Sequence, residues 1–209
     1  MHATSTQQAL PIMDRVAIII PAVGEAFEAP YRLWRNHPAA GLDFPDIAPA
    51  TVDAAVMRRL VEALASCLPA DVDILAGIDM GGFGLAGALA SRNGLGFVDI
   101  RKVGSIRADV IRVVMENYDL GEGIAMSKGS RIAGRKVALI DDCLVTGTTA
   151  LSAVNLVRRL GARCDTALFV YELEGMGGRD RLARDGVSAH VLRTLPKADA
   201  ESRTVVGSS

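Results

Sequence analysis

Residues 137–151, VALIDDCLVTGTTAL, restrict what this chain can fold into more than any other stretch. An apolar strand runs straight into two adjacent carboxylates, Asp141 and Asp142, and then into a turn built from Thr146, Gly147, Thr148 and Thr149. Apolar residues then recur at Leu151, Val154, Leu156, Val157 and Leu160, the spacing of an amphipathic helix, so the Thr/Gly turn falls at a helix N-terminus. The first turn of a helix leaves backbone N–H groups unpaired, and the helix dipole places about half a positive charge there. A phosphate suits both.

Gly147 lets the backbone approach a ligand closely, and the three hydroxyls add donors without adding charge. The acids must serve another part of that ligand, because carboxylates beside a phosphate repel it. Ionised carboxylates only accept hydrogen bonds, so their partners are hydroxyl groups or a metal ion. A phosphate close to a diol describes a sugar phosphate. The bland alternative is an ordinary strand-to-helix turn, with an Asp pair ending the strand and a Thr as cap.

With 209 residues, half of them apolar, the chain is long enough for one domain with a substantial core, and residues 1–209 read as such a domain. Its 23 basic and 24 acidic residues leave a net charge of −1, which offers no global field for nucleic acid or an anionic membrane. Residues 12–20 are broken by charge and followed by Pro21, far short of a membrane span. Cys67, Cys143 and Cys164 lack metal-type spacing, and their odd number argues against a disulfide framework, so a cytoplasmic setting is expected. Cys143 reads as a small residue packed under the loop rather than a nucleophile, having no His near it in sequence.

Before that stretch, residues 24–38 suggest a short helix stopped near Pro38, with Tyr31 and Trp34 as packing residues. A Pro-rich loop follows, then a helix over residues 51–68 with Val52, Ala55, Val56, Leu60, Leu64 and Leu68 on its apolar face. Residues 72–78 form a buried strand, the Gly81-Gly82 pair a sharp turn into a small-residue helix, and residues 95–100 the next strand. Residues 101–135 are too long for a simple connection and read as a hairpin or a lid. Beyond residues 137–160 come a strand over 164–173, a short helix and a last strand over 187–195. Alternating strands and helices predict an α/β fold with a mainly parallel central sheet, whose ligands bind beyond the C-terminal strand ends. Asp79, Arg101, Asp141 and Glu172 fall at such ends. The first ten residues and the tail over 196–209 are polar and expected to fray.

Five ordered motifs, FPDIAP, GIDMGGFGLAGALA, GFVDIRKVGS, LIDDCLVTGTTA and YELEGMGGRDRL, resemble the type I phosphoribosyltransferases, and among them the adenine phosphoribosyltransferases, over residues 36–192. The resemblance implies transfer of phosphoribose from phosphoribosyl pyrophosphate to a ring nitrogen of a purine or purine-like base, with release of pyrophosphate. It implies Mg²⁺ held mainly by substrate oxygens, a small N-terminal hood over residues 1–50, a lid over 101–135 and a homodimer. Asp141 and Asp142 would hold the ribose hydroxyls, directly or through Mg²⁺, and Val145, Thr146, Gly147, Thr148 and Thr149 the 5-phosphate. Asp79, Met80, Gly81 and Gly82 would offer backbone N–H groups to the pyrophosphate, with charge from Arg101, Lys102, Arg107 and Lys128. Phe44 and Leu173 would sandwich the base, with Asp43 beside it.

Departures cluster around the loop. The family's pyrophosphate turn usually reads E-S-R-G, and here Gly81 stands for its arginine. Ser105 replaces a lysine, with Arg107 close by, Tyr118-Asp119 falls where a Glu-Tyr pair is usual, Pro45 replaces an arginine before Asp46, and Asp43 replaces an apolar residue. Three readings stay open: an ordinary adenine enzyme, an enzyme for a different base in specialised metabolism, or a weakly catalytic or non-catalytic phosphoribose-binding partner protein.

Overall fold

The computed structural model describes residues 19–22, 25–28, 30–35, 42–102, 110–114, 123–127 and 130–196. The N-terminal part is built from two small antiparallel pairs. Strands Ile19–Ala22 (β1) and Glu25–Glu28 (β2) form one, and Arg32–Trp34 (β3) with Phe44–Asp46 (β4) form the other. The helix expected over residues 24–38 is therefore replaced by strands. Pro30 removes a backbone donor and biases its predecessor towards extended backbone, and Arg32, Leu33 and Trp34 gain cross-strand partners instead, with Leu33 opposite Pro45.

Tyr31 is buried as expected, but Trp34 is 49% exposed. Rather than filling the core, Trp34 donates its indole N–H to Asp46 at 2.8 Å and carries the Arg32 guanidinium 4.6 Å above its ring. Asp46 thus ties the two strands of this unit together through Arg32 and Trp34 and also accepts from the Ala48 N–H at 2.9 Å. These bonds hold its carboxyl below the ordinary value despite partial burial.

Helix Ala48–Thr51 (α1) precedes Ala54–Ser66 (α2), so the helix expected from residue 51 starts three residues later. Asp53 decides the boundary, because its Oδ1 accepts from the N–H groups of Ala55 and Val56 at 2.8 and 3.0 Å. Val52 consequently lies outside the apolar face and is 83% exposed.

Strand Ile74–Ile78 (β5), helix Gly81–Asn93 (α3) and strand Gly96–Lys102 (β6) follow. The next described strands, Val110–Val114 (β7) and Gly123–Ser127 (β8), form an antiparallel hairpin. Then come strand Lys136–Leu144 (β9), helix Thr148–Arg159 (α4), strand Arg163–Leu173 (β10), helix Gly178–Arg184 (α5) and strand Ser188–Leu195 (β11). The central sheet has seven strands in the order β11-β10-β9-β5-β6-β8-β7. Its first five strands are mutually parallel, and the hairpin joins antiparallel at the edge through β8.

Both faces of the parallel part are covered, which is why its strands read as nearly continuous apolar runs. Leu60 and Leu64 of α2 and Leu85 and Leu89 of α3 pack on one face with Ala138 and Ile140. Val154, Leu156 and Val157 of α4 and Leu182 of α5 pack on the other with Val137 and Leu139. Each fully buried leucine contributes about 1.5–3 kcal/mol. No helix among the described residues is long and apolar enough to cross a membrane.

Candidate active site

The C-terminal ends of β5, β6, β9 and β10 share one edge of the sheet. There β9 runs on through Asp141 and Asp142 to Leu144, so the acids lie within the strand rather than after it. Both carboxylates are half-buried. Burial and the charge of Asp142 push the Asp141 carboxyl well above its ordinary range, and burial also raises Asp142. Lys102, at the end of β6, opposes both shifts electrostatically. Two carboxylates crowded in this way favour a proton, a hydroxyl-bearing ligand or a divalent cation between them.

After Leu144 and Val145 the chain turns through Thr146 into Gly147, whose φ of 74° caps α4 in the left-handed region. Thr148 and Thr149 open the helix, and the hydroxyls of Thr146 and Thr148 lie 3.1 Å apart. The Thr/Gly turn thus lies at a helix N-terminus, as expected.

A second turn meets the acids from the side. It leaves β5 at Asp79, passes a cis Asp79–Met80 peptide, and enters α3 at Gly81. The Asp79 N–H bonds to the Ile100 carbonyl at 2.9 Å, fixing the turn to the end of β6. A side chain at Gly82 would run into the Ile140 carbonyl, and one at Gly81 would run into the Asp142 side chain. The Gly-Gly pair is thus what allows α3 to begin against the acid pair. Arg101 forms an ion pair with Asp99 on its own strand and lies 6.0 Å from the ring of Phe83 in the first turn of α3.

On the hood side, Asp43 is buried, with the Arg35 guanidinium 3.9 Å from its carboxylate. Phe44 packs against the cluster that contains Tyr31, Cys143, Tyr171 and Leu173. Phe44 and Leu173 thus belong to the same apolar cluster on this face of the sheet. The Tyr171 ring meets that of Tyr31 in a tilted contact, centroids 5.5 Å apart, and the buried Tyr171 hydroxyl has no hydrogen-bond partner among the described residues. Burial and the neighbouring acids push the Cys143 thiol up, leaving it un-ionised and unsuited to nucleophilic attack. Arg107 and Lys128 lie outside the described residues, as do Ser105, Tyr118 and Asp119.

Sequence reasoning passed over the support behind the Thr/Gly turn. Glu172, read there as an acid at a strand end, is buried and accepts from Arg179 Nε at 2.5 Å, which anchors α5 to β10. α5 then presents Gly178 to the turn: a Cβ there would collide with the Val145 carbonyl, and one on Gly147 would lie 2.9 Å from the Gly178 carbonyl. The signal was the doubled glycine at 177–178, which one chain read alone leaves without a partner.

A model of the phosphoribosyl transferase domain matches residues 50–190, about two-thirds of the chain and the whole of the site apart from the hood. The chain belongs to this family. Members similar to it include the adenine phosphoribosyltransferase of Mesorhizobium japonicum, 37% identical over 174 residues that cover 82% of this chain and 96% of that protein. Among solved structures, the adenine phosphoribosyltransferase of Rhodothermus marinus superimposes with a TM-score of 0.72 at 30% identity, covering 79% of this chain and 94% of that one. The Giardia lamblia enzyme, in complex with 9-deazaadenine, gives 0.71 at 25% identity, over 79% and 93%. The protein is accordingly a phosphoribosyltransferase, a member of the glycosyltransferase class, with the type I fold.

Proposed function

We propose that the protein transfers phosphoribose from phosphoribosyl pyrophosphate to a ring nitrogen of a purine base, adenine being the first candidate, and releases pyrophosphate. The observation that carries this reading is the convergence of the acid pair, the Thr/Gly cradle at α4 and the glycine turn at α3 on one sheet edge. Adenine comes from the names of the relatives and from the 9-deazaadenine bound in the Giardia structure.

In this scheme Val145, Thr146, Gly147, Thr148 and Thr149 hold the 5-phosphate by backbone N–H and hydroxyl donors, while Asp141 and Asp142 accept from the ribose hydroxyls. The residues 79–82 and the start of α3 face the pyrophosphate, with Lys102 and Arg101 supplying positive charge, and Arg107 and Lys128 assigned to the same task. Phe44 and Leu173 flank the base, and Asp43 accepts from a donor on its edge. The lid role would fall to the parts of residues 101–135 outside β6, β7 and β8, which would keep water from the anomeric carbon.

The crowded, partly buried acid pair fits Mg²⁺, which Asp141 or Asp142 would hold together with substrate oxygens. The ion, when bound, supplies charge neutralisation for the leaving pyrophosphate. Loss of the family arginine at Gly81 makes that neutralisation depend more heavily on Lys102 and the cation.

The test is pyrophosphate release from phosphoribosyl pyrophosphate and Mg²⁺ with adenine, hypoxanthine, guanine and pyrimidines offered in turn. Turnover with at least one purine is expected. Ligand-dependent thermal stabilisation without turnover on any base would favour the non-catalytic binder.

A further inference from the structure

We infer that Arg181 is a further binding residue for the 5-phosphate, reaching the cradle from α5. The inference rests on the sugar-phosphate assignment of residues 145–149 made above. Three observations on α5 support it. Gly178 and Arg181 are three residues apart in a helix and so share a face, and Gly178 marks that face as the one pressed on the Val145 carbonyl. The Arg181 Cδ lies 3.4 Å from the point a Cβ on Gly147 would occupy, so the arginine stem runs along the back of the residue that caps α4. Arg181 is half-buried, yet it has no carboxylate partner among the described residues, although its neighbour Arg179 is bound to Glu172 and Arg158 to backbone carbonyls.

A half-buried arginine whose Cδ lies against the residue capping the anion cradle, with no carboxylate partner among the described residues, is suited to the anion itself. Guanidinium and phosphate match in geometry, and an arginine can bridge two phosphate oxygens. The Glu172–Arg179 pair fixes the helix that carries Arg181, so the side chain starts from an anchored backbone.

The experiment uses the full chain and compares adenosine 5′-monophosphate with adenosine by titration calorimetry, for wild type, Arg181→Gln and Arg181→Lys. Arg181→Gln is expected to bind the monophosphate about tenfold more weakly or worse, the loss typical of a charge-assisted hydrogen bond, with adenosine affinity unchanged. Arg181→Lys should recover part of the loss, and the salt dependence of monophosphate binding should flatten in Arg181→Gln. Equal monophosphate affinity in wild type and Arg181→Gln overturns the inference, as does an equal loss for both ligands, which would assign Arg181 a structural role. If wild type itself does not distinguish the monophosphate from adenosine, the cradle assignment fails, and the inference with it.

Discussion

The Cα of Gly81 rests against the side chain of Asp142, so closely that a Cβ on Gly81 would stand 2.7 Å from the Asp142 Cβ as well as colliding with its carboxylate. Turning the carboxylate about its own bonds leaves the Cβ–Cβ conflict in place. The glycine that replaces the family's arginine is thus a condition for this turn to pack on the acid pair.

Gly81→Ala is expected to destabilise the fold by about 1–3 kcal/mol, the usual cost of overpacking, and to raise KM for phosphoribosyl pyrophosphate more than KM for the base. Gly81→Arg, which restores the family residue, should not raise activity. Steady-state kinetics with both substrates varied would show this, and a gain in kcat/KM for Gly81→Arg would refute the packing argument.

Stability should depend on pH through the acid pair. The folded-state carboxyls of Asp141 and Asp142 lie above the ordinary value of 3.8, so the folded protein holds their proton more tightly than the unfolded chain does. Their contribution is fully present below that value and is lost as pH rises through the raised folded values. Every tenfold difference in proton affinity between the two states is worth about 1.4 kcal/mol. Asp141→Asn should therefore melt higher than wild type at pH 7 without ligand, and the advantage should shrink towards pH 4. A variant that melts lower than wild type at pH 7 contradicts this.

Gly178→Ala should disturb the phosphate cradle from behind, because the added methyl meets the Val145 carbonyl and stands 2.7 Å from Leu144 Cγ. The expected signature is a rise of about tenfold or more in KM for phosphoribosyl pyrophosphate with little change for the base, in line with about 1–3 kcal/mol of overpacking. Unchanged kinetics would show that α5 does not support the turn.

Asp43 should influence which base is accepted. Asp43→Ala removes a buried acceptor beside Phe44, and a shift in relative kcat/KM among adenine, hypoxanthine and guanine is expected. An unaltered preference would remove Asp43 from the base pocket.

Asp53→Ala gives a control outside the site. It deletes the N-cap of α2 and should cost about 1 kcal/mol of stability while leaving KM for both substrates alone.

Much of this architecture was legible in the sequence, for identifiable reasons. The acid pair, the Thr/Gly turn and the helix behind them are contiguous, so local rules for strands, caps and helix N-termini locate them without tertiary information. The parallel order followed from alternating strands and helices. What stayed hidden was decided by distant partners. Arg32 and Trp34 form a strand because β4, ten residues on, offers them Asp46 and a backbone ladder. Val52 sits at a helical spacing, but Asp53 captures the start of α2 and leaves it outside. Gly81, Gly147 and Gly178 read as turn residues, whereas their packing against Asp142, Val145 and one another is a property of the assembled sheet edge.

The central claim is that phosphoribose binds at the loop following β9. Calorimetric titration of phosphoribosyl pyrophosphate with Mg²⁺ into wild type and into the double variant Asp141→Asn, Asp142→Ala measures it directly. Tight binding to wild type and none detectable to the folded double variant is expected; equal affinity in the two would place the sugar phosphate elsewhere.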